Sequence, residues 1–202
     1  MTQDKHTVNR GNRFTIIAVA VVFLAPIVGA YILHATGWQP ESTKNRGALV
    51  PGPVAMAEQH FNLANGGSLA LKDIRHSWGV LYIGGDSCDP DCVERLERLR
   101  RAHISLGKNQ PRVHRLYLAR SATHDYQALG RQFPELKILA APEAGIVSWR
   151  AQLKDAVGGD LVPGMMFIID PLGNAILNYR ADADPVDVRK DLGRLLHVSR
   201  LG

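Results

Sequence analysis

From Phe14 to Leu33 the chain reads "FTIIAVAVVFLAPIVGAYIL", about twenty residues without a charge. At about 1.5 Å of rise per residue, a helix of this length crosses a hydrocarbon layer of about 30 Å. The run is longer than the apolar part of a signal peptide and ends in "YILHATGW" without a small-residue cleavage site, so it predicts an uncleaved transmembrane anchor over 14–34. Pro26 is tolerated inside such a span. Tyr31 and Trp38 fall near its far boundary, where amphipathic rings prefer to lie. Periodicity then disappears, and 35–58, rich in Pro, Gly and polar residues, predicts a tether.

Regular patterning resumes near His60 and predicts one folded domain over 59–202. A short strand, a turn at Gly66-Gly67 and a second strand from Ser68 to Leu71 lead to a buried strand from Gly79 to Ile83. In "CVERLERLRRAHISLG", Val93, Leu96, Leu99 and Leu106 fall near one face at helical spacing, with Glu and Arg opposite. A second central strand is predicted from Arg112 to Ala119, then a helix in "HDYQALGRQF", a strand in "LKILAA" and a helix in "AGIVSWRAQL". "MMFIIDPLGNAILNYR" reads as a hairpin turning at Asp170-Pro171-Leu172-Gly173. The last helix has Asp184 to cap it, Pro185 for its first turn, and Val188, Leu192 and Leu195 on a shared face. Strands that alternate with helices and then close with a hairpin and a terminal helix predict an α/β domain, a central mixed sheet flanked by helices.

Charge adds an orientation. Lys5, Arg10 and Arg13 precede the apolar run against a single Asp4, which holds 1–13 on the cytoplasmic side; Lys44 and Arg46 beyond the run do not reverse the bias. The domain is then expected outside a bacterial inner membrane, in an oxidising periplasm. The net charge of +5 comes from arginines scattered among acids, with no basic block and no aromatic interleaving, which argues against a nucleic-acid partner.

In that compartment the two cysteines carry the chemistry. Cys88 and Cys92 stand in "GGDSCDPDC", where the buried strand meets its helix. With Asp89 as N-cap and Pro90 as first helical residue, Cys92 lies in the first turn and Cys88 just outside it. That spacing suits a disulfide. The helix N-terminus favours a thiolate, while Asp86, Asp89 and Asp91 favour protonated thiols or a bound cation. Two thiolates suit soft Cu(I). A structural bridge, a copper site and a thiol-disulfide exchange site all remain open at this point.

A Cys pair at the corner of the first central strand and its helix, with Pro163 just before the hairpin, are landmarks of the thioredoxin-like fold. The chain resembles the Sco/SenC family, membrane-anchored thioredoxin-fold proteins of cytochrome c oxidase assembly. The resemblance runs from about Asn62 to Val198 and rests on "WGVLYIGG" leading into Cys88-Asp89-Pro90-Asp91-Cys92 and on "FIIDPLGNAI". It implies Cu(I) as cargo, Cys88 and Cys92 as its ligands, and an oxidase subunit or another copper or thiol assembly factor as partner. It also implies an assembly factor rather than a turnover enzyme, with thiol-disulfide oxidoreductase activity as the catalytic option. The family's copper-binding histidine maps onto Val162, so the third ligand is missing, and Val162-Pro163 looks instead like the cis-proline loop of redox-active relatives. The family's aspartate-proline motif after the second central strand is replaced by "LARSATHDY", which offers His124 as a substitute ligand on the same rim. The contrasting reading is a membrane-tethered scaffold whose cysteines are vestigial.

Other reactive types are expected to pack or to face solvent. Met165 and Met166 point to opposite sides of a strand, so at least one belongs to the core. His103 and His114 are remote from the pair, His60, His76 and His197 have no visible partner, and Trp78 and Trp149 are expected in the core. The chain shows no Ser/His/Asp constellation, phosphate loop or paired-carboxylate motif.

Overall fold

The computed structural model describes residues 10–36, 45–56, 60–64, 66–121, 126–140 and 144–199. The chain divides into two units, Met1–Lys44 and Asn45–Gly202.

The first unit contributes one helix, α1 (Arg10–Ala35), with Pro26 inside it. Its stretch Arg13–Ala35 is long and apolar enough to cross a membrane. Phe14, Val22, Phe23 and Ile27 project from it exposed, as a helix apolar all round requires when lipid rather than protein is to cover it.

The second unit is built on a six-stranded sheet. Its strands in chain order are β1 (Ala48–Ala55), β4 (Trp78–Ile83), β5 (Val113–Ala119), β6 (Leu136–Ala140), β7 (Met166–Ile169) and β8 (Asn174–Tyr179). In space they lie β1-β8-β7-β4-β5-β6. β4, β5 and β6 run parallel, whereas β7, β8 and β1 attach antiparallel, giving the expected mixed sheet. A small ribbon of β2 (His60–Asn62) and β3 (Ser68–Ala70) precedes α2 (Leu71–Ile74). The larger helices are α3 (Pro90–Ile104), α5 (Ala144–Val157) and α6 (Pro185–Val198), with a short α4 (Gln127–Gln132) between β5 and β6.

Alternation along β4 explains the two cores. Val80 and Tyr82 face one side, where they join Leu96 and Leu99 of α3, Val188 and Leu192 of α6, and Phe133. Leu81 and Ile83 face the other, with Phe61, Leu69, and Ile146, Trp149 and Leu153 of α5. Every residue of β4 is buried, as a central strand covered on both faces must be. Trp78 and Trp149 are both core residues, as expected.

Helix ends follow the local code. Asp184 accepts a hydrogen bond from Val186 N and Pro185 opens α6. The hairpin turn is held by the Asp170 carboxylate, which accepts from Leu172 N and Asn174 N, and Gly173 takes the left-handed conformation at φ 91°. Helix α3 stops at Ile104, so Leu106 lies beyond it and packs on the core from the following turn.

One boundary differs from the sequence reading. Residues 48–55, assigned there to the tether, form β1, and the compact unit begins at Asn45 rather than at residue 59. Pro51, Gly52 and Pro53 read as breakers, but the strand is at the sheet's edge and its register shifts between Leu49 and Val54. The prolines therefore fall in the irregular stretch, where fewer ladder donors are needed. Val50, Val54 and Met56 are buried in the second core. Upstream, Arg46 N and Gly47 N donate to the buried Asp191 carboxylate of α6 at 2.7 and 3.0 Å.

Candidate thiol and copper site

The site forms where β4 gives way to α3. Gly84 N donates to Leu118 O at 2.9 Å and Arg120 N to Gly85 O at 3.2 Å, which carries the β4–β5 pairing past the strand ends. Position 84 requires glycine, because a Cβ there would overlap the ring and hydroxyl of Tyr117. Asp89 then caps α3 from an extended conformation (φ −72°, ψ 175°), its carboxylate accepting from Cys92 N at 2.8 Å, and Pro90 follows. This is the cap expected from the sequence. It sets the Cα atoms of Cys88 and Cys92 5.2 Å apart, and the two are joined as a disulfide. Both cysteines are half-buried and pack against the first core.

Tyr82, Tyr117 and Tyr126 cluster on that side of the sheet, near Cys92. The Tyr117 hydroxyl is 4.0 Å from Cys92 Sγ. Its ring stacks on Tyr82 with centroids 5.8 Å apart and planes at 12°, and Tyr126 tilts against it at 6.0 Å. Burial, helped by the neighbouring phenols and Asp89, pushes the Tyr117 hydroxyl far above the ordinary tyrosine range, so it stays protonated and able to donate. Burial also raises Tyr82, against the opposing influence of Arg95. Arg95, on α3, donates to Ala183 O at 3.1 Å and Gly164 O at 3.5 Å, linking the cysteine helix to the chain just after Pro163.

Pro163 lies close to Gly85. A Cβ added to Gly85 would meet its ring at 3.6 Å, and the next residue, Gly164, donates to Ile83 O at 2.8 Å. Gly164 has φ 94° and presses on Ala181, so a side chain there would be strained and crowded. Val162 is 51% exposed, and its N–H points to Met165 Sδ at 3.4 Å. Met165 is half-buried against the second core and Met166 fully buried in the first.

The structure joins Cys88 and Cys92, caps their helix with Asp89, and sets Pro163, next to Val162, close to Gly85. His124 lies outside the described residues. Among the described residues, no group of three or more His, Cys, Asp or Glu side chains is placed to hold a metal ion. His103 is buried away from the pair, with Nε2 against Val113 O and Gln110 O at 2.8 and 3.0 Å, while His60, His76 and His197 are exposed.

Sequence reasoning missed Tyr82, Tyr117 and Arg95. Aligning the C-terminal ends of the two central strands, "VLYIGG" and "RLYLAR", would have found the tyrosines, because Tyr82 and Tyr117 are register partners. Arg95 sits among the charged residues of an amphipathic helix and gives no such signal.

Comparison with known proteins places this geometry. No curated protein sequence matches the chain. Yeast Sco1, solved with copper bound, shares 14% identity at a TM-score of 0.57, over 74% of this chain and 96% of its own. BsSco, described as a member of the Sco family of cytochrome c oxidase assembly proteins with a disulfide switch, shares 10% at 0.55, over 79% and 100%. A thiol:disulfide interchange protein of the thioredoxin family from Chlorobium tepidum also shares 10% at 0.55, over 72% and 98%. At these identities the likeness is one of fold, and the fold is thioredoxin-like. Residues 78–199 match the family described as transmembrane-like, thioredoxin-like, C-terminal domain, and the chain belongs to that family.

Proposed function

We propose that this chain is a membrane-anchored, Sco-like assembly protein whose Cys88/Cys92 pair exchanges disulfides with a cysteine-bearing client in cytochrome c oxidase assembly. The observation that carries the reading is the bridged pair at the start of α3, half-exposed at the strand-to-helix corner. Cys88, outside the helix, is the sulfur a client attacks or is attacked by; Cys92, in the first turn, resolves the mixed disulfide. A disulfide closing so short a loop adds little chain-entropy stabilisation, which favours a reactive role over a structural one. The BsSco switch and the Chlorobium interchange protein supply the analogy.

The test uses the full chain in detergent, equilibrated with glutathione buffers and assayed for insulin reduction. Cys92→Ser should trap a client on Cys88 as a mixed disulfide. A pair that stays inert to glutathione at every ratio overturns the exchange reading.

A second reading, Cu(I) delivery, is favoured by yeast Sco1, solved with copper bound on the same fold. Once reduced, the two sulfurs are soft donors suited to Cu(I), with the third ligand coming from a partner or from His124, since Val162 offers none. Anaerobic Cu(I) titration of the reduced chain against a chelator tests it, and absence of a site tighter than micromolar overturns it. Val162→His should tighten binding, and unchanged affinity would remove the alignment that puts the family's histidine there.

The same reading places α1 in a bacterial inner membrane with the domain periplasmic, supported by Lys5, Arg10 and Arg13 ahead of the apolar run. Reporter fusions after residue 202 that are active only in the cytoplasm would reverse that orientation.

A further inference from the structure

The geometry points to Tyr117 as the positioning residue that stabilises the departing sulfur of Cys92 when the disulfide opens, an inference resting on the exchange reading above. Cleavage at Cys88 leaves Cys92 Sγ with the electron pair of the broken bond. That sulfur is half-buried at the base of the corner, so its negative charge needs a donor. The helix N-terminus is a weaker source than usual, because the backbone N–H of Cys92 is already given to the Asp89 carboxylate at 2.8 Å. That carboxylate also adds negative charge beside the pair. The Tyr117 hydroxyl lies 4.0 Å from Cys92 Sγ, within reach of a hydrogen bond that shortens as the sulfur gains charge.

Two features hold the hydroxyl there, and a third keeps it a donor. Tyr82 stacks on its ring and Tyr126 tilts against it, so the ring cannot swing along the sheet. The missing side chain of Gly84 makes the space that the ring and hydroxyl occupy. Burial keeps the phenol protonated, so it donates without giving its proton away.

A thiolate of a client dithiol attacks Cys88 Sγ and forms a new S–S bond as the Cys88–Cys92 bond breaks. The electron pair passes to Cys92 Sγ, which accepts a hydrogen bond from Tyr117 and later takes a proton from solvent. The client's second thiolate then displaces Cys88. The client leaves oxidised by two electrons, and the pair is left as a dithiol.

Tyr117→Phe keeps the ring and removes the hydroxyl. In the full chain, reduction by dithiothreitol, followed by quenching with a maleimide that adds mass, should slow about tenfold, as loss of one hydrogen bond to a charged group predicts. The equilibrium with dithiothreitol should move toward the disulfide by up to about tenfold, a potential lower by about 30 mV. A residue that only packs would alter the melting temperature without moving either quantity. Replacing Tyr117 with 3,5-difluorotyrosine, a stronger donor of similar size, should speed reduction and covers the case in which the Phe variant folds poorly. Unchanged rates in both variants overturn the inference. Wild-type protein inert toward glutathione and insulin, with Tyr117→Phe still slow toward dithiothreitol, would overturn the exchange reading and leave the role of Tyr117 standing.

Discussion

Replacing Asp191 with alanine should unfasten the start of the domain. The carboxylate is 1% exposed and accepts four hydrogen bonds: Arg46 N at 2.7 Å, Gly47 N at 3.0 Å, the Tyr179 hydroxyl at 2.8 Å, and Arg194 Nη1 at 3.2 Å. The arginine is half-exposed and can return to water, so it contributes little. The other three donors lose their acceptor, and two of them, Gly47 N and the Tyr179 hydroxyl, are buried with it. At about 1 to 3 kcal/mol for each buried donor left unmade, and less for the part-buried Arg46 N, the loss comes to roughly 4 kcal/mol. That is a large part of the 5 to 15 kcal/mol typical of a whole domain. At about 2 to 4 °C per kcal/mol for a domain of this size, the melting temperature should fall by roughly 8 to 16 °C. The assay is thermal unfolding of the full chain in detergent, followed by near-ultraviolet circular dichroism, alongside limited trypsin digestion. Arg46 should become a fast cleavage site in the variant. A shift under 3 °C with Arg46 still protected would refute the reasoning, because it would mean the three donors find water or other acceptors at little cost.

Other outcomes follow from the same structure. Gly84→Ala would drive a methyl group into the Tyr117 ring, at roughly 1 to 3 kcal/mol of overpacking, and should lower the melting temperature measurably; an unchanged value would show the ring free to move. Arg95→Ala removes the donor to Gly164 O and Ala183 O and should slow glutathione exchange by loosening the Pro163 loop; an exchange rate equal to wild type would remove that linkage from the mechanism. Burial, reinforced by Arg115, holds the His103 imidazole below its ordinary pKa of about 6.5. The unfolded chain therefore takes up this proton first as pH falls, so the stability is intact above about pH 6.5 and declines below it, down to the depressed folded value. Denaturation midpoints at pH 7.5 and 5.5 should differ less in His103→Gln than in wild type, and an equal difference would remove His103 from the acid response.

Much of the fold was legible because its signals are local. The caps at Asp89 and Asp184, the turn at Asp170 to Gly173 and the apolar run of β4 each specify their element without help from the rest of the chain. The cysteine corner was legible for the same reason, since cap, proline and both sulfurs fall within five residues. β1 was not, because Pro51 and Gly52 are breakers by local rules and only an edge position beside β8 makes them admissible. The tyrosine cluster was hidden too: Tyr82 and Tyr117 meet through the parallel register of two strands, and Tyr126 reaches them from the segment before α4. Arg95 looked like a solvated helix residue, yet it spans the gap between α3 and the loop after Pro163.

The Asp191 clasp also sets an order of events in time. The backbone of Arg46 is held by a carboxylate 145 positions later, and β1 pairs with β8, among the last strands in the chain. Contacts so distant in sequence are slow to form, because the intervening loop must close before they repay it. The Cys88–Cys92 bridge, by contrast, joins residues four apart and needs only the first turn of α3. A newly made chain can therefore close its Cys88–Cys92 bridge while its first strand is still unpaired, and the last helix is what seals the beginning of the domain.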